Sequence, residues 1–252
     1  MIVDAHVYLG TCLFGYAQSL GQIRENMDRL AIDRAVLVPV KPQDYHLGPM
    51  NRLVADAVNA HPGRFMGLCR ADPWQGEAAA REVRKGFDDL GACGLYLDPS
   101  EEGFQANDDL VLPLVEEAGR YSKPVVINAG HARVSHPTQI WDLARRFPDV
   151  RFVACNGGQI NICGLLLFEA RRMLEACPNI MVQTSGTYRE DFLEELASEV
   201  GEERVLFASR SPVYDQEFEM ARVQFAHLSK SQQEKLWGTN ALATFGFAGG
   251  ND

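Results

Sequence analysis

Short apolar runs alternate with longer stretches of helical periodicity along the whole chain, and this alternation, repeated eight times, leaves few folds open. The runs at Ile2–His6, Ala35–Val40, Phe65–Arg70, Cys93–Asp98, Pro124–Asn128, Arg151–Asn156, Ile180–Thr184 and Arg204–Ser209 read as strands. Between them the 3.6-residue period predicts helices over 20–30, 51–60, 77–90, 110–121, 140–147, 165–176, 190–200 and 216–228, with a last helix over 231–245. Ser19, Ser135 and Asp108 stand where N-caps belong, and His61-Pro62-Gly63 and Phe147-Pro148-Asp149 stop helices before strands. Strands that each feed a helix pair in parallel through right-handed crossovers. The 252 residues match the roughly 250 of a (β/α)₈ TIM barrel. That is the fold expected, as one domain over residues 1–248 with a disordered tail at 249–252, although strand spacing alone also allows a doubly wound open sheet.

Charge and apolar patterning exclude several functions. The formal net charge is −10, and phosphate binding needs clustered Lys and Arg, so a nucleic-acid partner is not expected. No apolar run approaches the roughly 20 residues of a membrane span, and the N-terminus lacks a basic segment followed by an apolar one. The six cysteines (12, 69, 93, 155, 163, 177) are scattered without a C-x-x-C pair and read as reduced, packed thiols. These features together suggest a cytoplasmic protein with no membrane partner.

In a TIM barrel the working residues sit at the C-terminal ends of the strands. Here those ends carry IVDAHVY, VVINAG, FVACNGG and LFASRSP, and GTNALATFG stands near the end of the chain. The set resembles the amidohydrolase-related branch of the amidohydrolase superfamily over nearly the whole chain. That branch shows D-x-H-x-H on strand one, His-x-Gly on strand five, His-x-Gly-Gly on strand six, Gly-Ser-Asp-x-Pro on strand eight and Asn-Ala before the final helix. The resemblance implies a site for one divalent ion, often zinc, held by these residues. In this chain His6 matches the first ligand, while Tyr8, Asn128, Asn156 and Arg210 occupy the other four positions. One histidine does not make a zinc site, Asn is a poor neutral ligand, and a guanidinium repels a cation. No metal and no other cofactor is therefore expected. Cys155, next to Asn156, should face the opposite side of its strand, and His131 and His136 read as loop and capping residues.

Three functions follow from a dismantled site. Arg210 with Tyr8, Asn128 and Asn156 makes a donor-rich pocket for a small carboxylate, or else Arg210 is closed off by Asp4, Asp72 or Asp98. The resemblance extends to metal-independent lactonases of the same superfamily, and in that reading His6, Asp72, Asp98 and Arg210 are the catalytic set. The third reading is a pseudoenzyme acting as a homo-oligomer or as the partner of an active paralogue. Trp74, Trp141 and Trp237 are read as packing residues, Trp74 being the best placed to line the mouth. Lys41, Asp44, Tyr45 and His46 are read as a polar, solvated rim.

Overall fold

The computed structural model describes residues 1–159, 164–187 and 189–247. Cys163 and the expected tail at 249–252 lie outside them. Among the described residues are nine strands: β1 (Val3–Thr11), β2 (Ala17–Gln18), β3 (Arg34–Pro39), β4 (Phe65–Arg70), β5 (Gly94–Leu97), β6 (Val125–Ile127), β7 (Phe152–Ala154), β8 (Ile180–Gln183) and β9 (Val205–Leu206). Every neighbouring pair from β1–β3 to β8–β9 is parallel. The sheet curls until its edges meet. Ala5 N–H donates to the Phe207 carbonyl at 2.9 Å, and Tyr8 N–H donates to the Ser211 carbonyl at 2.9 Å. Val7 and Ser211 form the bridge that closes the ring. The eight expected strands are thus the staves of the barrel. β2 is an addition, pairing antiparallel with a β1 that runs on to Thr11.

Side-chain alternation divides the core in two. Val36, Val38, Leu68, Val126, Val153 and Leu206 fill the barrel interior. Leu37, Leu95, Val125, Phe152 and Ile180 face outward against helical residues such as Met27, Val83, Leu114, Leu143 and Met173. Phe245 and Phe247 plug the end at which the strands begin, together with Ala241. Its neighbour Asn240 ties the last helix to the barrel by donating to the carbonyls of Glu202 and Val205 at 2.8 Å each.

Alternation fails at one place, and there it matters. β1 pairs with β3 as Asp4 with Ala35 but Val7 with Leu37, so one extra residue is inserted between Asp4 and Val7. A bulge of this kind re-aims side chains. Val3, Ala5 and Tyr8 join the interior cluster, and the His6 ring packs edge-on against Tyr8. Asp4, which strict alternation would place beside His6, goes instead to the seam between β1 and the end of β9. Its carboxylate accepts from Ser209 N–H (2.9 Å), His6 N–H (3.2 Å) and Gln216 Nε2 (2.7 Å). It is therefore not a partner for Arg210.

Two smaller expectations are corrected. His136, not Ser135, caps the helix Pro137–Arg146, its ring nitrogen accepting from Thr138 N–H, while Ser135 is buried and its hydroxyl accepts from His131 N–H. Cys155 does not face away from the site, because β7 ends at Ala154 and Asn156 is no longer in the strand. Its thiol lies in the interior, 3.6 Å from His6 Nδ1.

The seam is a test of closure. Asp4→Ala leaves the Ser209 and His6 N–H groups and the Gln216 side chain without this acceptor, and a donor left buried and unmet costs about 1–3 kcal/mol. Urea denaturation should show a loss on the order of 2–4 kcal/mol with an unchanged slope.

Candidate functional site

The residues at the strand ends form a closed circuit of hydrogen bonds. Arg210 Nη1 donates to Asn156 Oδ1 (3.1 Å), Asn156 Nδ2 donates to Asn128 Oδ1 (3.3 Å), and Asn128 Nδ2 donates to Asp98 Oδ1 (2.8 Å). On the other side Arg210 Nε donates to the Tyr8 hydroxyl (3.3 Å). The Tyr8 and Tyr96 hydroxyls are 2.6 Å apart, and Tyr96 donates to Asp98 Oδ2 (2.8 Å). Since an ionised carboxylate only accepts, the direction of the whole tyrosine arm is fixed. Tyr96 gives its proton to Asp98, Tyr8 gives its own to Tyr96, and the Tyr8 oxygen is left to accept from Arg210. A buried cation and a buried anion are thus joined by two arms of neutral groups.

Local backbone geometry sets these side chains in place. Asn156, Gly157 and Gly158 all have positive φ (57°, 64° and 80°), so the chain leaves β7 in a tight left-handed turn. A Cβ on Gly157 would stand 2.7 Å from Thr187 Oγ1, and Asn is among the few other residues that adopt this conformation readily. Arg210 also has positive φ (58°), an uncommon state for a long side chain. Its backbone N–H donates to the His6 carbonyl at 2.9 Å.

Asp98 is the anion of the circuit. Its Oδ1 also accepts from the N–H groups of Ser100 and Glu101 at 3.1 Å each, capping the short helix Pro99–Glu102. Burial works against its ionisation, but the Arg70 and Arg210 guanidiniums and the hydrogen bonds from Asn128 and Tyr96 outweigh burial and hold the carboxyl below the ordinary range. Burial drives the phenols of Tyr8 and Tyr96 well above theirs. His6 is fully buried, and burial, reinforced by Arg210, pushes its imidazole down to about 3.

A second buried guanidinium lies close by. Arg70 ends β4 on the same side as Leu68 and is 0% exposed. Its Nη2 donates to Glu101 (2.5 Å) and Glu102 (2.7 Å), and its Nη1 to the Pro39 carbonyl (3.2 Å). Lys41 is buried too, rather than part of a solvated rim, and donates to the Glu101 carbonyl at 2.5 Å. Tyr16 donates to the Glu101 carboxylate (3.0 Å), and Trp74, itself 58% exposed, donates to the Glu102 carbonyl (3.1 Å). Four side chains, Arg70, Lys41, Tyr16 and Trp74, therefore hold the 99–103 segment across the mouth.

Of the sequence-derived candidates, the structure brings His6, Tyr8, Asp98, Asn128, Asn156 and Arg210 together. It does not bring in Asp72, whose carboxylate accepts from Trp74 N–H (3.1 Å) and caps the turn Pro73–Gln75. Arg70, Tyr96, Gln183 and the Glu101–Glu102 pair are site residues outside the sequence-derived set. The signal for three of them was present: Arg70, Tyr96 and Gln183 are polar residues in register with the interior-facing Leu68, Asp98 and Met181 of otherwise apolar strands.

This geometry has relatives. The amidohydrolase family model matches residues 13–247. The chain belongs to the amidohydrolase family. No curated protein matches it in sequence. Among solved structures it is similar to 5-carboxyvanillate decarboxylase from Novosphingobium aromaticivorans, complexed with manganese and 4-hydroxy-3-methoxy-5-nitrobenzoic acid, at 17% identity and a TM-score of 0.80, covering 98% of this chain and 96% of that one. It is also similar to 2,6-dihydroxybenzoate decarboxylase from Rhizobium (16% identity, TM-score 0.78, 98% and 99% covered) and to 4-oxalomesaconate hydratase from Rhodopseudomonas palustris (17%, 0.71, 98% and 96%). At such identities the likeness establishes a shared fold.

The side chains of this family member do not fit a divalent cation. Tyr8 has its proton committed to Tyr96 and a phenol that resists ionisation. The amide oxygens of Asn128 and Asn156 already accept from Asn156 and Arg210. Arg210 adds a fixed positive charge beside them. Of these five positions only His6 offers a metal donor, and among the described residues no three His, Cys, Asp or Glu side chains converge to hold an ion.

The mouth segment should respond to pH. Burial pushes the Glu102 carboxyl up to about 7 from an ordinary value of 4.5, despite Arg70 at 2.7 Å and Lys41 at 3.8 Å. A carboxyl raised in the folded state binds more protons than in the unfolded chain between those two values. Its contribution to stability therefore falls as pH rises through that window and is level above it. Glu102→Gln removes this fall. Comparing the two proteins by urea denaturation, the variant should gain on the order of 2–3 kcal/mol relative to wild type between pH 4.5 and pH 7.

Proposed function

We propose that this amidohydrolase-family barrel binds a small carboxylate at Arg210 without a metal, and that it does not carry out metal-dependent hydrolysis or decarboxylation. The observation that carries this reading is the contrast between its two buried guanidiniums. Arg70 donates directly to the carboxyl groups of two glutamates, Glu101 and Glu102. Arg210, 9% exposed, has only neutral hydrogen-bond partners, and among the described residues no carboxylate lies within ion-pair distance of it. Its Nη2 has no hydrogen-bond partner among those residues. Burying a cation without direct compensation is costly, and a carboxylate held by a guanidinium is the commonest remedy. The structural relatives whose names specify carboxylated substrates agree with this ligand class.

A lactonase-like reaction is less well supported, because it lacks a base. Asp98 has four hydrogen-bond donors on its two oxygens and is held well ionised, and Asp72 is a turn cap. His6, pushed down to about 3, is a feeble base at neutral pH.

Benzoate is a suitable probe. Titration followed by heteronuclear NMR should give saturable binding in the micromolar to millimolar range, with the largest shifts at the strand ends. Arg210→Met should weaken it at least about tenfold, the loss of one charged hydrogen-bond pair. Equal binding by wild type and variant, or none by either, would refute the proposal. Elemental analysis of the purified protein forms a separate check, with expected zinc and manganese contents below about a tenth of an equivalent, since one neutral histidine is too weak a site.

A further inference from the structure

We infer that His6 is an obligate hydrogen-bond acceptor, and that it selects among carboxylates for those bearing a hydroxyl or N–H donor. The inference rests on the carboxylate-binding reading above and specifies what else the ligand must offer.

The case starts at Gln183. Its amide nitrogen donates to the Ala5 carbonyl at 3.1 Å, so its orientation is fixed and its oxygen is the atom that faces His6 Nδ1, 3.1 Å away. A carbonyl oxygen cannot donate, so Nδ1 must carry the proton. The imidazole is neutral, because burial and the nearby Arg210 disfavour a second charge. A neutral ring protonated on Nδ1 has a bare lone pair on Nε2. That atom is fully buried and has no hydrogen-bond partner.

None of the neighbours supplies the missing donor in the structure. The Tyr96 and Tyr8 hydroxyls, on the two rings that pack edge-on against His6, are committed to Asp98 and to each other. The Cys155 thiol approaches Nδ1, the wrong nitrogen. Arg210 gives its Nε and Nη1 protons to Tyr8 and Asn156. An unmet buried acceptor is a standing penalty that a ligand's donor would relieve. A ligand with a carboxylate for Arg210 and a donor for His6 would meet both unfilled requirements of the site.

The test compares benzoate with 2-, 3- and 4-hydroxybenzoate, so that the position of the hydroxyl is sampled while the carboxylate is kept. In the wild type at least one isomer should bind about tenfold more tightly than benzoate, the ratio expected from one added hydrogen bond. His6→Phe keeps an aromatic ring and should bring that ratio near one. Gln183→Leu releases the tautomer and should reduce it. Long-range proton–nitrogen NMR on the wild type alone should show the Nδ1–H tautomer, and this measurement needs no variant to fold. If benzoate binds through Arg210 and no hydroxylated isomer binds better, or if His6 is found protonated on Nε2, this inference fails and the carboxylate site stands. If no benzoate binds in an Arg210-dependent way, both fail.

Discussion

A single buried carboxylate, Asp98, organises the mouth of this barrel. A carboxylate taken out of water costs several kcal/mol unless its lone pairs are filled and its charge is balanced. Asp98 meets the first demand with four donors drawn from β5, from the end of β6 and from the helical turn that follows it. It meets the second with two guanidiniums, Arg70 and Arg210, neither of which it touches within ion-pair distance. Everything else follows from that spacing. The Tyr8–Tyr96 arm and the Asn156–Asn128 arm exist because the charges are held apart and the intervening dipoles must be aligned. Aligned dipoles in a low-dielectric interior reinforce one another, so the circuit resists piecemeal change.

The circuit also explains why the residue types at positions 8, 128, 156 and 210 go together. A histidine at position 8 could not take part in the same donor order, because Tyr8 must accept from Arg210 and donate to Tyr96 through one oxygen. An amide suits positions 128 and 156 because each must accept on one atom and donate on another. Arg210 supplies the positive charge without which Asp98 would have one compensating cation fewer. In physical terms, Tyr8, Asn128, Asn156 and Arg210 form one polar network with Tyr96 and Asp98.

Much of this was legible in the sequence and some of it was not. The eight strands, their parallel order and the strand-end positions of His6, Tyr8, Asn128, Asn156 and Arg210 could be read from periodicity and from the resemblance, because a barrel buries both faces of each stave and the apolar runs mark them. The bulge in β1 could not. Strict alternation puts Asp4, His6 and Tyr8 on one face, and one inserted residue sends Asp4 to the seam instead. The same error displaced Cys155, whose strand ends one residue before it. Asp72 and Asp98 look alike in sequence, each followed by proline and each at a strand end. They diverge because Asp98 stands in register with Tyr96 and reaches the interior, whereas Asp72 lies two residues past Arg70, where the chain has already left β4 for a turn. The Arg70–Glu101–Glu102 cluster depends on loops meeting across the mouth, and no local pattern encodes that.

The retention of His6 is the remaining step. If the site had only to be filled, any residue able to pack against Tyr8 and Tyr96 would serve, and a phenylalanine would spare the barrel an unpartnered nitrogen. Instead the ring is held by a glutamine that is itself tied to the backbone of β1, so two polar side chains are fixed in order to present one lone pair. A network that satisfies six of its members through one another, leaves His6 Nε2 buried and unmet, and leaves one edge of a guanidinium without a partner in the protein is not optimised as a sealed core. Its two unmet groups have opposite hydrogen-bonding character, acceptor at His6 and donor at Arg210. That is the complement of a molecule bearing one donor and one carboxylate, which is why a binding site accounts for this arrangement better than a merely filled one.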